Sequence, residues 1–290
     1  MLSQTAFSRA KKPAVLTAVT LCIVLLAGCT QPPAQEPVTQ ETTGVAALSH
    51  IHGMSVDPDT GRILLATHEG LFDVTTDTPK KIGPTIDLMG FAADQNGNYY
   101  ASGHPSPETG LPDPAGLIRS TDGGETWKPL SLQGASDFHA LAVSGQSIIG
   151  YDGAFWRTDD RESWNTFDSG FQPYNLAGTS QSQVVLATTE QGVRRSGDGG
   201  NTWVLPQGAP LLLLTTFASK SAVVGVTPDG TVQLSRDGGL TWQETGGGVT
   251  GQPAAIAAAE DTGQLKIWVA TDTGIEYSAD TGATFSKGTK

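Results

Sequence analysis

An eight-residue phrase returns five times between residues 120 and 285 of this 290-residue chain. It reads Ser120-Thr-Asp122-Gly-Gly124-Glu-Thr126-Trp127, then Arg157-Thr-Asp159-Asp-Arg161-Glu-Ser163-Trp164. It recurs as Ser196-Gly-Asp198-Gly-Gly200-Asn-Thr202-Trp203, Ser235-Arg-Asp237-Gly-Gly239-Leu-Thr241-Trp242 and Ser278-Ala-Asp280-Thr-Gly282-Ala-Thr284-Phe285. The closing aromatics fall 37, 39, 39 and 43 residues apart. A period near 40 calls for one supersecondary unit per repeat, each unable to bury its apolar face without its neighbours. Within the phrase, the aspartate can accept turn amides and the glycines allow positive φ. The closing aromatic covers apolar surface under the turn, contributing about 2–3 kcal/mol. All of these are structural roles.

The residues between the phrases read as short strands. After residue 47 no segment keeps a 3.6-residue apolar period, and β-rich runs are cut by Gly, Asp and Pro. Each unit has a first strand (His52 to Val56 in the first unit) and a second (Ile63 to Thr67). A third strand opens at a glycine, and the repeated phrase leads to a short fourth. The opening glycines are Gly70, Gly116, Gly153, Gly192, Gly230 and Gly274, so six units are expected. The first has Thr75-Thr-Asp77-Thr-Pro79 where the phrase would stand. Residues 48–290 hold six units of about 40, whereas seven would need roughly 280 residues. The expectation is one all-β domain, a single β-propeller of four-stranded antiparallel blades, six favoured over seven. Residues 45–50 are expected to add an edge strand that helps close the ring.

The N-terminal segment has a different character. Arg9, Lys11 and Lys12 precede an apolar run, Ala14 to Ala27, too short for a comfortable membrane span. The run ends in Leu26-Ala27-Gly28-Cys29, which resembles a bacterial lipobox. Residues 1–28 are therefore expected to be a signal peptide. Cys29 is expected to carry the lipid that holds the chain on the extracytoplasmic face of the membrane. Residues 29–47 are rich in Pro, Gln, Thr and Glu and read as a disordered tether. Cys22 leaves with the signal, so one cysteine remains and no disulfide can form within a monomer. The formal charge of −12 becomes about −15 when Arg9, Lys11 and Lys12 are lost, which argues against nucleic acid or anionic lipid as a partner.

The repeated phrase resembles the Asp box, or BNR repeat, of sialidase-type β-propellers. The resemblance covers roughly residues 48–290, but its strongest motifs are the structural boxes. It implies an arginine triad for a substrate carboxylate and a tyrosine–glutamate nucleophile pair. The chain lacks the N-terminal Arg-Ile-Pro signature that usually supplies the first arginine. Arg119, Arg157 and Arg195 end third strands, Arg161 and Arg236 lie inside boxes, and Arg62 begins a second strand. No triad can be assembled from them, so the chain is not expected to be a true sialidase.

Strand direction assigns residues to faces. Boxes join third to fourth strands and lie at the lower end. First strands start, and second strands end, at the upper mouth. His50, His52 and His139 fall at starts of first strands, and His68 and His104 at ends of second strands. All five histidines of the chain thus map to the upper face of three adjacent units. Imidazoles ligate late first-row metals, copper or zinc among them, and carry protons near neutral pH. Met54 and Met89 lie in first strands and offer soft donors. A proline-rich insertion, Gly103 to Gly116, leaves the second unit at the same mouth, as a lid or specificity loop would. Tyr151 and Tyr174 are candidate aromatic walls, with Tyr151 the stronger ligand contact.

Three classes of function stay open. One is binding of a metal or small ligand at the histidines. A second is a paired-carboxylate glycosidase using Glu69 or Glu108 opposite Asp137. The phrases His50-Ile-His52-Gly-Met and Ala66-Thr-His68-Glu-Gly-Leu-Phe are similar to a group of bacterial glycosyl hydrolase-like Asp-box lipoproteins. The third is a protein-assembly scaffold, as the likeness to the photosystem assembly-factor propeller implies. Fold does not decide among them.

Overall fold

The computed structural model describes residues 44–48, 50–57 and 60–290. The signal segment, Cys29 and most of the tether lie outside the described residues. Among the described residues no helix is long and apolar enough to cross a membrane.

The described chain is a six-bladed β-propeller. Blade 1 is β1 (Ile51–Val56), β2 (Ile63–Thr67), β3 (Gly70–Asp73) and β4 (Lys80–Ile82). Blade 2 is β5 (Ile86–Ala93), β6 (Tyr99–Pro105), β7 (Leu117–Ser120) and β8 (Lys128–Ser131). Blade 3 is β9 (Ala140–Ser144), β10 (Ser147–Tyr151), β11 (Phe155–Thr158) and β12 (Asn165–Phe167). Blade 4 has β13 (Asn175–Gly178), β14 (Val185–Thr189) and β15 (Gly192–Ser196). Blade 5 is β16 (Leu214–Phe217), β17 (Val223–Val226), β18 (Thr231–Ser235) and β19 (Gln243–Gly248). Blade 6 is β20 (Pro253–Asp261), β21 (Gln264–Thr271), β22 (Gly274–Ser278) and β23 (Ser286–Lys287). Every pairing is antiparallel between consecutive strands. In blade 4 the outer strand is reduced to one bridge, Arg195 to Val204.

The apolar core divides into six clusters, one per blade interface. Leu64, Leu71 and Ile82 of blade 1 meet Ile86, Tyr99 and Ile118 of blade 2. Each box aromatic packs into the cluster shared with the preceding blade: Trp127 in the first, then Trp164, Trp203, Trp242 and Phe285 in turn. The box therefore joins blades as well as strands. Its second glycine explains how the approach becomes close enough. Gly239 sits at φ +86°, and a Cβ there would lie 2.6 Å from the Leu186 side chain of the blade before.

The polar half of the box is equally regular. Asp122 Oδ1 accepts the Thr126 amide at 3.0 Å and the Ser120 hydroxyl at 2.8 Å. The Thr126 hydroxyl donates to Oδ2 at 2.5 Å, and the Gly124 amide donates to Ser120 Oγ at 2.9 Å. Asp198, Asp237 and Asp280 repeat the aspartate–threonine pair. These bonds hold the carboxyls of Asp237 and Asp280 down at about 2.

The second box corrects the sequence reading, which put Asp159 at the box position. Asp160 takes that role: its Oδ1 accepts the amides of Glu162 and Ser163 at 2.9 and 2.7 Å. The box is one residue short. Arg161 stands where the second glycine would be, at φ +68°, and its amide donates to Thr158 Oγ1 at 2.8 Å. Asp159 instead pairs with Arg157 at 2.6 Å and accepts the Ser147 hydroxyl. The third-strand arginines tie blades together as well. Arg157 Nε donates to the Gly199 carbonyl and Arg195 Nε to the Gly238 carbonyl, each in the next blade's box.

The ring closes without exchanging a strand. The edge strand expected over residues 45–50 is a 3₁₀ turn, Gly44–Ala47, followed by Leu48. Val45 and Leu48 pack on the cluster between blades 1 and 6, with Met54, Leu65, Trp268 and Ile275. The Thr289 hydroxyl donates to the Thr75 carbonyl at 2.8 Å and adds a polar tie between the two blades.

Candidate functional site

The first strands line a central channel of about 710 Å³. At its mouth the sequence repeats with a common geometry. Blade 1 presents His50-Ile51-His52, blade 2 Asp87-Leu88-Met89 and blade 3 Asp137-Phe138-His139. In blades 1 and 2 the middle residue of the triplet pairs with the second strand, and a β-bulge follows. Ile51 pairs with Thr67 and Gly53 with Ala66, so His52 is the extra residue. Leu88 pairs with Gly103 and Gly90 with Ser102, so Met89 is the extra residue in blade 2. In blade 3 the His139 amide donates to the Tyr151 carbonyl, and Ala140 pairs with Tyr151. His68, just past the end of β2, and His104, opposite Asp87 near the end of β6, hold equivalent places, each two residues beyond the partner of the glycine that follows the bulge (Ala66 for Gly53, Ser102 for Gly90).

This geometry brings the five histidines together in two groups. In the first, His68 Nδ1 lies 3.2 Å from Asp87 Oδ2 and His52 Nε2 lies 3.9 Å from Asp87 Oδ1. Ligand atoms of His52, His68 and Asp87 all fall within 4.8 Å of one another. The His68 ring sits 4.7 Å from that of His52 and 4.5 Å from that of His50. His50 itself is solvent-exposed and adopts φ +48°. Burial holds the pKa of His52 below the ordinary imidazole value; the neighbouring His68, with His50 and His139, adds to this, against the pull of Asp87.

In the second group, Asp137 Oδ2 lies 3.2 Å from His104 Nε2 and 3.1 Å from His139 Nε2. His104 Nδ1 lies 2.6 Å from Asp113 Oδ1 in the insertion. Hydrogen bonding to Asp113 raises the His104 pKa despite some desolvation, because both ring nitrogens face carboxylates and the imidazolium can donate to each. The insertion is anchored. The Ala115 amide donates to the Gly103 carbonyl and the Ser106 amide to the Thr85 carbonyl, while Leu111 packs on the blade 1–blade 2 core.

Three atoms stand out. His52 Nε2, Asp87 Oδ1 and Asp137 Oδ1 are buried and have no hydrogen-bond partner among the described residues. Such atoms carry a desolvation cost unless something satisfies them.

Other sequence candidates fall elsewhere. Tyr151, whose carbonyl accepts the His139 amide, turns its ring edge-on against Phe155 and lines a separate recess with Phe167 and Phe171. Tyr174 of blade 4 occupies the place of His52 and lines the channel, largely exposed. Glu69 is exposed at the β2–β3 turn, where its amide donates to Thr67 Oγ1 at 3.1 Å. Glu108 is exposed on a short 3₁₀ turn, and a hydrogen bond from Ser106 lowers its pKa. Of the three carboxylates proposed from sequence, Asp137 alone joins the histidines in these contacts. Asp87 was missed. Its signal was its place: it is the blade 2 counterpart of His50, two residues before Met89.

Comparison with known proteins supports the fold. The BNR/Asp-box repeat family model matches residues 118–129. No curated protein matches the chain in sequence. Among solved structures, the Niastella koreensis GH74 enzyme superposes with a TM-score of 0.56 at 14% identity, over 83% of this chain and 38% of that one. The extracellular domain of the hybrid two component system BT4673 from B. thetaiotaomicron gives 0.52 at 13%, over 83% and 33%. YCF48 from Cyanidioschyzon merolae gives 0.50 at 12%, over 80% and 95%. The chain thus spans well under half the length of the GH74 enzyme it resembles. At these identities the likeness is one of fold. The chain is a six-bladed β-propeller, and its residues 118–129 match the BNR/Asp-box repeat.

Proposed function

We propose that the protein binds a late first-row transition metal ion, zinc or copper, through His52, His68 and Asp87. The observation that carries this reading is the pair of buried, unpartnered donor atoms, His52 Nε2 and Asp87 Oδ1, only 3.9 Å apart beside His68. A tetrahedral ion with bonds of about 2.0–2.1 Å separates its ligand atoms by roughly 3.3 Å. The His68–Asp87 separation of 3.2 Å matches that edge, and a small torsional change in His52 closes the other. Two imidazoles and one carboxylate suit zinc or copper and leave a coordination position toward the channel. The depressed His52 pKa keeps its ring neutral, as a ligand must be.

A glycosidase reading receives less support. A general acid needs a carboxyl held above its ordinary value, and Glu108 is moved the other way. The GH74 likeness carries the fold alone. The extracytoplasmic membrane anchor through a lipid on Cys29 belongs to this proposal, supported by Leu26-Ala27-Gly28-Cys29. A Cys29→Ala chain recovered in the soluble fraction would support it, and one retained wholly with membranes would refute it.

Competition against a chromophoric chelator tests the metal reading. Asp87→Asn should weaken zinc or copper binding at this site roughly 100-fold or more, the top of the range for outer-shell changes. Equal affinity in wild type and variant would overturn it.

A further inference from the structure

We propose that the next blade interface holds a second metal site, with His104, His139 and Asp137 as its ligands. The inference extends the first site through the internal repeat, but it stands on its own atoms.

The repeat supplies the frame. Gly53 pairs with Ala66 and Gly90 with Ser102, which makes His104 of blade 2 the counterpart of His68 in blade 1. Asp137 opens blade 3 as Asp87 opens blade 2. The first site spans blades 1 and 2 through the pair His68–Asp87, and the same two positions, one blade on, are His104–Asp137. His68 Nδ1 lies 3.2 Å from Asp87 Oδ2 and His104 Nε2 3.2 Å from Asp137 Oδ2, the same spacing through the other ring nitrogen. The remaining ligand differs. At the first interface it is His52, the bulge residue of the earlier blade. At the second, that bulge position is Met89, and the imidazole comes from His139 of the later blade, which precedes Ala140 and donates its amide to the Tyr151 carbonyl.

The donor set can be drawn onto one ion. Asp137 Oδ2 has one imidazole nitrogen at 3.2 Å and another at 3.1 Å, each close to the roughly 3.3 Å edge of a tetrahedral zinc site, and the exposed His139 ring has to turn toward His104 to close the third edge. Asp137 Oδ1 is buried and without a hydrogen-bond partner among the described residues, leaving the carboxylate room to rotate onto a cation. His104 is already oriented as metal-bound histidines are: Nδ1 points at Asp113 at 2.6 Å, which leaves Nε2 for the ion. This gives the insertion a purpose. The connection that is long in blade 2 carries the carboxylate that aims His104. Met89, at the bulge position of blade 2, lines the channel as His139 does, and a thioether reaching the ion would make this the softer of the two sites, suited to copper.

The test is stoichiometry. Chelator-stripped protein is dialysed against micromolar zinc chloride or copper sulfate, and bound metal is counted by elemental analysis. Wild type should retain two equivalents of copper. Asp137→Asn and His139→Ala should each retain one, Asp87→Asn should retain one, and the Asp87→Asn/Asp137→Asn pair none. His139 is exposed, so its replacement leaves the fold intact, which circular dichroism checks. One equivalent in wild type, unchanged by Asp137→Asn and His139→Ala, would overturn the second site while leaving the first standing. One equivalent in wild type that Asp87→Asn leaves unchanged and Asp137→Asn abolishes would instead refute the first.

Discussion

Asp87 and His104 face each other across the β5–β6 ladder, yet their side chains serve opposite neighbours. Asp87 reaches back to His68 of blade 1 at 3.2 Å, and His104 reaches forward to Asp137 of blade 3 at the same distance. One strand pair thus contributes to both histidine groups. Its close fit depends on Gly103, whose φ of +142° lets β6 pass tight against the Asp87 carbonyl, where a Cβ would overlap it. We expect Gly103→Ala to disturb both groups together. Imidazole chemical shifts of His68 and His104 should move in that variant, whereas Gly110→Ala, with open space around its Cβ, should leave them in place.

The box aromatics add to the apolar clusters that join the blades. Trp127 is buried in the blade 1–blade 2 cluster, so Trp127→Ala should cost about 3–5 kcal/mol in urea unfolding. A loss below about 1 kcal/mol would mean that the interface does not depend on the ring.

The second box glycine should be replaceable only at a cost set by the neighbouring blade. Gly239→Ala meets Leu186 at 2.6 Å and keeps a positive φ, so a loss of about 2–3 kcal/mol is expected. Gly246→Ala has a similar φ, +90°, but open space around it, and should lose about 1 kcal/mol. Equal losses would show that backbone strain alone sets the requirement.

Much of this was legible in the sequence, and the exceptions share a cause. Five copies of one phrase fixed the unit length and so the blade count, because a repeat must stack to bury its faces. The same phrases placed the histidines, since strand direction follows once the turns are known. What stayed hidden was register. Asp87 was overlooked because its importance comes from an offset in the β5–β6 pairing, which composition does not reveal. Asp159 was preferred to Asp160 because the second box lacks one residue, and only the hydrogen bonds show which carboxylate faces the turn. Tyr151 sits at the expected strand end, but its ring turns toward Phe155.

Acid should weaken the fold through the boxes. Asp237 and Asp280 have folded pKa values of about 2, below their unfolded value near 3.9. Their contribution is therefore complete above about pH 4 and disappears as pH falls toward 2. Urea midpoints should drop across that window, and the Asp237→Asn variant should show a shallower drop. Midpoints independent of pH from 5 to about 2.5 would contradict the box account.

The most direct test of the central claim is anomalous diffraction at the zinc edge from crystals grown with stoichiometric zinc. The account predicts a peak at bonding distance, about 2.0–2.2 Å, from His52, His68 and Asp87. A map with no peak at the channel mouth, at full zinc loading of the protein in solution, would contradict it.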